Sequence, residues 1–308
     1  MGILVVGATF VDIKGYPETE YIPTGRNAGK VEYVHGGVAR NVVEDIANVE
    51  LRPTFVSLVD DSGEGADVMR KLKNHQVNTQ YIRTVKDGMG TWLAVFDNDG
   101  DVVASISKRP DLRPICDILD QQGDEIFQTA ESVVVEIDMD KEIIKRVFRL
   151  AQKHDTKVYA MVSNMSIAVE RRDFLQQTDC FICNLQEAGM LFLDDYMDKN
   201  AAQMELILAE KVSRARIKKM IVTMGADGAV FASMDGSSGC CPARKVDVKD
   251  TTGAGDAFCA GAAIGLTYGK TLAEACEIGA HLAASVIVTS ENVCPRFLPS
   301  EFGLEVNF

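Results

Sequence analysis

Basic charge is in short supply. Lysine and arginine total 32 against 45 acidic residues, a formal balance of −13. So acidic a chain argues against nucleic acid or an anionic membrane as partner, because both are gripped by clustered cations. It leaves room for a small phosphorylated ligand, which backbone N–H groups can hold. Histidine is scarce too, and its four residues show neither metal-ligand nor catalytic-triad spacing. No apolar run approaches membrane-spanning length. The opening "MGILVVGATF" has no basic residues ahead of its apolar run, so it reads as a first buried strand rather than a leader peptide. Gly2 resembles a myristoylation start, but Val6 stands where Ser or Thr is required. We expect a cytoplasmic protein whose eight cysteines are reduced thiols. Cys180 and Cys183 in "CFIC" have the spacing of half a zinc site, and no second Cys or His pair completes it.

What the chain does have is alternation. Short β-branched runs at 3–9, 54–59, 132–137, 157–162, 180–184, 219–224 and 229–233 are separated by segments with apolar residues at helical spacing, among them "GVARNVVEDIANV", "KEIIKRVFRLAQKH" and "AAQMELILAEKVSRA". Continuous apolar strands between helices predict an α/β fold, with a mainly parallel central sheet covered on both faces. Two stretches interrupt the alternation. Residues 13–35 are polar and hold Pro17, Pro23, Gly25 and Gly29, and residues 90–108 read as two alternating strands about the turn "NDG". Both leave the chain where a sheet strand should end. They predict a small β-sheet lid over the sheet's carboxyl edge, where open α/β sheets bind ligands; an extension of the main sheet's edge is the alternative. No linker divides residues 1–308 into two domains.

One stretch concentrates the chemistry: "DTTGAGDAF", residues 250–258. Gly253, Ala254 and Gly255 open an apolar helix and present almost no side chains. A helix start offers unpaired N–H groups and partial positive charge, so this loop is suited to an anionic group. Asp256 in the first turn has two readings, a helix-stabilising acid or a general base that deprotonates a hydroxyl beside the anion. Asn184 and Glu187 in "NLQE" likewise read either as a helix cap or as oxygen donors for a hydrated Mg²⁺. Asn41 alone could be a helix-start residue, and Gly36-Gly37 a plain turn. "GLTYGKT" (265–271) mimics a phosphate-binding P-loop, but its glycines are one residue too close and no strand precedes it. It reads better as a helix end followed by the cap Thr271.

In order and spacing these elements resemble the ribokinase-like (PfkB) carbohydrate kinases across nearly the whole chain. "DTTGAGDAF" is similar to the family's DTxGAGD signature, "GGVARN" (36–41) to its GGxxxN element, "NLQE" (184–187) to its NxxE motif and "VTMGADGA" (222–229) to its nucleotide-side glycine loop. The resemblance implies a ribokinase-like fold and ATP-dependent phosphorylation of a small-molecule alcohol. It implies that Asp256 is the base and that Gly253, Ala254 and Gly255 form the anion hole. It places the acceptor on Gly36, Gly37, Asn41 and Asp12, the last at the end of the first strand. It assigns Mg²⁺ and its waters to Asn184 and Glu187, and ATP to the neighbourhood of Asn184, Thr223, Gly225, Gly228, Gly253 and Gly255. It also implies a K⁺ ion beside the carbonyls of Asp250 and Thr252, and a homodimer formed through the lid.

Within the family, "DIKGYP", "NAGKVEYVHGGVARN" and "SENVCP" (290–295) are most like the pseudouridine kinase branch, which phosphorylates the 5′-hydroxyl of that nucleoside. The chain departs from that branch at Ala28, where Pro is usual, and at Cys294, where Asn is. Ala160, Met161 and Ser166 replace an Asp, a Pro and a Lys. Another nucleoside, a free sugar such as ribose or fructose, or a catalytically silent nucleoside or sugar sensor remain as alternatives.

Overall fold

The computed structural model describes residues 2–306, without the side chain of Arg171; Met1, Asn307 and Phe308 of the predicted 1–308 span lie outside them. Among the described residues, nine strands form one sheet: β1 (Ile3–Val6), β4 (Thr54–Val59), β5 (Ile82–Thr84), β8 (Ser132–Glu136), β9 (Lys157–Met161), β10 (Cys180–Asn184), β11 (Lys219–Thr223), β12 (Ala229–Ser233) and β13 (Ser238–Cys241). Their spatial order is β13-β12-β11-β10-β9-β8-β1-β4-β5. Every pairing is parallel except those of β12, which runs antiparallel to both β11 and β13.

The apolar strands earn their continuity by facing helices on both sides. Leu4 and Val6 of β1 enter a core shared with the helices Pro114–Gln128, Lys141–His154 and Ala201–Ala215. Ile3 and Val5 point the other way, into a second core with the helices Val38–Asn48, Ala254–Thr267 and Leu272–Ile287. Period-two alternation thus divides one apolar run between two cores. The last two helices come very close: a Cβ added to Gly261 would lie 2.7 Å from Gly279 Cα. The P-loop mimic is a helix end. Helix Ala254–Thr267 stops, Gly269 takes a positive φ of 74°, and Thr271 caps the next helix with Glu274 reaching back.

The two interruptions make a separate four-stranded sheet in the order β3-β2-β6-β7, from β2 (Phe10–Pro17), β3 (Gly29–Gly36), β6 (Gly90–Phe96) and β7 (Val102–Lys108). It is not an extension of the main sheet. Its first strand starts at Phe10, earlier than the predicted boundary at residue 13, because the first sheet strand ends at Val6 rather than Thr9.

Candidate active site

Strand order reverses between β1 and β8. After β1 the chain passes through the small sheet and then builds towards β5; from β8 onward it builds towards β13. Such a switch point leaves a crevice at the strands' carboxyl ends. Gly7 follows β1 there with no room for a side chain, since a Cβ would meet Ala39 Cβ at 2.4 Å and Glu136 Oε1 at 2.9 Å. Glu136, the last residue of β8, accepts the Ala39 N–H at 2.9 Å and so holds the start of helix Val38–Asn48 at the crevice. Burial and the charge of Asp138 push its carboxyl up to about 8.

Asp256 lies in the first turn of helix Ala254–Thr267, half-buried, and its Oδ2 accepts from Asn41 Nδ2 at 2.6 Å. Among the described residues its Oδ1 has no hydrogen-bond partner. Burial raises its pKa to about 6, the Asn41 bond and the Arg40 charge pull it down, and Asp12 and Glu187 push it up. Asn41 is itself buried, and its Oδ1 has no partner among the described residues. An orphaned buried acceptor costs about 1–3 kcal/mol, so this atom points to a donor that a ligand would bring.

Asp12 belongs here too, but not at the end of the first strand, as the resemblance placed it. It is the third residue of β2, in the small sheet. Its carboxylate lies where a side chain on Gly36 would be, within 2.6 Å of that Cβ position. Burial raises its pKa, against Lys14 and Arg40, which lower it. Gly37 caps helix Val38–Asn48 at φ 96°, a conformation natural to glycine. Asp12, Gly36, Gly37, Asn41 and Asp256 therefore meet, although they come from three separate stretches of chain.

The loop before Asp256 is narrower as an anion cradle than its sequence implies. Gly253 has φ 82° and lies flat against Asn292, whose carbonyl oxygen would be 2.1 Å from a Cβ there. The Ala254 N–H already donates to Thr251 O at 3.2 Å. Around Gly255 the space is open, and a helix start leaves the Gly255 and Asp256 N–H groups without intrahelical acceptors. Just upstream, the Thr252 N–H donates to Asp250 Oδ1 at 2.8 Å. Burial would raise the Asp250 pKa, but this bond and others leave it lowered.

Asn184 and Glu187 form a complete capping box. Asn184 Oδ1 accepts the Glu187 N–H and Glu187 Oε2 accepts the Asn184 N–H, each at 2.8 Å. The helix-cap reading thus holds, and it still leaves Glu187 Oε1 open. Burial raises the Glu187 pKa and Asp138 adds to the rise. Thr223, which pairs with Asn184 in register, ends β11. The turn after it runs through Gly225 (φ 57°) and Gly228 (φ 90°), where a Cβ would strike Cys241 O at 2.1 Å.

Three residues escaped the sequence reading. Lys14 is buried on the same face of β2 as Asp12, and its charge lowers the pKa of both Asp12 and Asp250. Trp92 pairs directly with Asp12 across β2 and β6 and so shares that face, with Phe96 four residues on and Tyr16 stacked on Phe96 at 4.8 Å. Arg40 is 1 % exposed and its charge reaches both Asp12 and Asp256. Period-two spacing in "DIKGYP" was the available signal for Lys14; Trp92 had none before the strand register was known.

A family model described as pfkB family carbohydrate kinase matches residues 2–299. The chain is 31 % identical over 294 residues to a guanosine-inosine kinase of Exiguobacterium acetylicum, covering 94 % of this chain and 95 % of that one. It is 24 % identical over 274 residues to the pseudouridine kinase of Escherichia coli (strain K12), covering 88 % and 86 %. Among solved structures, the ribokinase of Arabidopsis thaliana complexed with ribose and ATP superposes with a TM-score of 0.82 at 20 % identity, covering 96 % of each chain; the fold is ribokinase-like.

Proposed function

The chain belongs to the pfkB family of carbohydrate kinases, phosphotransferases that act on a hydroxyl group, and from that premise we propose that it uses ATP to phosphorylate the 5′-hydroxyl of a ribonucleoside. The observation that carries this reading is the meeting of Asp256, Asn41 and Asp12 at an open helix start. Asp256 Oδ1 takes the hydroxyl proton, the freed oxygen attacks the γ-phosphorus of ATP, the bond to the β-phosphate oxygen breaks and ADP leaves. The loop N–H groups hold the transferred phosphoryl; one such donor is worth about 3 kcal/mol, and base catalysis about 10²–10⁴-fold. Asn41 Oδ1 and the Asp12 carboxylate receive donor hydroxyls of the sugar.

Asn184 and Glu187 fit a hydrated Mg²⁺. Glu187 keeps one oxygen open, and Mg²⁺ needs only one or two carboxylates when phosphates and waters complete its shell. Among the described residues no cluster of three or more His, Cys, Asp or Glu forms an all-protein cage. When bound, Mg²⁺ would neutralise phosphate charge. Thr223, Gly225 and Gly228 flank the nucleotide, and a K⁺ ion at the Asp250 and Thr252 carbonyls would stiffen the loop, which exchanging K⁺ for a bulky organic cation tests.

A nucleoside is favoured over a free sugar by the aromatic group beside Asp12. Trp92, Phe96 and Tyr16 offer a stacking surface where a base attached to the bound sugar would fall, and base–aromatic stacking contributes about 1–3 kcal/mol. The higher identity to the guanosine-inosine kinase makes guanosine or inosine the first reading. The motifs like those of pseudouridine kinases keep pseudouridine as the second. The intact Asp256, Asn184 and Glu187 set speaks against a silent sensor.

An ADP-release screen across guanosine, inosine, pseudouridine, ribose and fructose tests this order. Turnover with a nucleoside alone is expected. Turnover only with a free sugar would overturn the nucleoside reading, and binding without turnover would overturn the kinase reading. The chain has one tryptophan, so its fluorescence should respond to the nucleoside and not to ribose.

The four-stranded sheet serves in this reading as a lid over the acceptor. Its other face carries a row in register, Tyr33, Ile13, Leu93 and Ile106, with Tyr33, Leu93 and Ile106 exposed. That row supports a homodimer through the lid; light scattering on Ile106→Glu should show monomer if so.

A further inference from the structure

Behind the acceptor turn lies a layer of buried polar groups that, apart from Asn41, touches none of the proposed ligands. Arg40 is 1 % exposed, and its guanidinium donates to the carbonyl oxygens of His35 and Gly36, to Asn292 Oδ1 and to the Glu44 carboxylate. Asn292 is 4 % exposed and donates from Nδ2 to the same His35 carbonyl at 2.7 Å. The backbone of Asn292 is also the surface on which Gly253 lies, with no space for a methyl group between them. One buried pair therefore touches both halves of the reaction: the turn His35-Gly36-Gly37 on the acceptor side and the loop of Gly253 on the phosphoryl side.

The layer continues down one stripe of helix Val38–Asn48. Asn41, Asp45 and Asn48 recur at i, i+4 and i+7 and so share a face. Asn41 holds Asp256, Asp45 Oδ1 accepts the Cys294 N–H at 2.6 Å, and Asn48 Nδ2 donates to Cys294 O at 2.6 Å. The Phe297 N–H closes the series on Asn48 O at 2.8 Å. Glu44, fully buried, is balanced by Arg40 and by Lys71 at 3.0 Å. Burying so many polar groups is unfavourable unless each is paired, yet here they fasten "SENVCP", a segment that supplies no proposed ligand contact, to the helix that bears Asn41.

We propose that Arg40 and Asn292 are positioning residues that set the spacing between the acceptor turn and the phosphate loop, with the 290–295 segment as the strut between them. A misplacement of about 1 Å between reacting groups can reduce rate about 10²-fold without loss of binding. Arginine suits the role because its planar fork reaches several acceptors at once, which a lysine ammonium does not. The assignment rests on the kinase reading for its kinetic consequence, but the strut itself is a property of the fold.

Two variants test it. Asn292→Ala should retain a KM for ATP within about threefold of the parent, because the strut does not touch Thr223, Gly225 or Gly228, and should lose at least about tenfold in kcat. Arg40→Lys keeps the charge and loses the fork, and should be impaired in the same way. Hydrogen exchange gives a readout independent of activity: in Asn292→Ala, amides of 36–41 and of 253–256 should exchange faster together, while those of 223–228 do not change. Full kcat in both variants, or exchange that rises only within 290–295, would overturn the proposal. If the parent protein turns over no acceptor, the kinase reading fails, and the exchange experiment still decides the strut. If Arg40→Lys does not fold, Asn292→Ala decides alone.

Discussion

The two sides of the crevice are built differently. On the proposed acceptor side, side chains tie three segments together: Asn41 bonds to Asp256, and Arg40 to the 35–36 carbonyls and to Asn292, with Asp12 set against Gly36. On the proposed nucleotide side, Asn184 and Glu187 bond across their own helix start, and the rest is main chain shaped by Gly225 and Gly228. An acceptor must be chosen by its hydroxyl pattern, which needs fixed polar atoms. Phosphates common to all nucleotides are served by backbone and a metal. Changes on the acceptor side should therefore alter chemistry and its pH dependence, and those on the nucleotide side should alter metal and nucleotide requirement.

The largest effect is expected at Asp256. Asp256→Asn should keep ATP affinity and lose at least about 10²-fold in kcat; unchanged turnover would remove Asp256 as the base. The base must be ionised to act, so wild-type activity should fall as pH drops through about 6. Asn41→Ala comes next, with about 10–100-fold lost from the missing bond to a charged group. The Asn41 bond lowers the Asp256 pKa, so its loss should move the acidic limb of the rate profile to higher pH. A limb that stays in place would separate Asn41 from Asp256. Glu187→Gln tests the opposite side. Glutamine preserves the capping box, so the melting temperature should hold, while the Mg²⁺ concentration for half-maximal rate rises about tenfold. A falling melting temperature with unchanged Mg²⁺ demand would make Glu187 a cap and nothing more.

The smallest effect is one of stability. Glu136 has a folded pKa of about 8, above its usual value of 4.5. The folded state therefore holds a proton that the unfolded chain releases. The stability this contributes is present below about pH 4.5 and is lost as pH rises through about 8. Glu136→Gln should melt higher than the parent at pH 9 by more than it does at pH 6; an equal difference at both pH values would show that Glu136 is already ionised.

Much of the fold was legible because hydrophobic periodicity is local. The runs at 54–59, 180–184 and 229–233 are strands with those bounds, and Lys141–His154 and Ala201–Ala215 are helices with theirs. The direction of β12, an interior strand flanked by β11 and β13, was not legible, because antiparallel and parallel strands buried on both faces share the same apolar composition. In the proposed site, the glycine loop of Gly253 and Asp256 after it carried a signal in their spacing, whereas Gly225 and Gly228 were named only through the family resemblance and Asn184 read equally as the helix cap that it forms. Asp12 was found and misplaced by one strand.

By itself the sequence determined most of the main-sheet strands, the helix start that suits an anion and the motifs that resemble the family's, since each depends on neighbours a few positions away; the short strands Ile82–Thr84 and Ser238–Cys241 carried no such signal. Only the tertiary structure decided that Asn41 reaches Asp256 across 215 positions, that Trp92 stands opposite Asp12, and that Arg40 bonds to Asn292 across 252 positions. Those relations depend on strand register and helix packing, which bring together residues that share no local pattern.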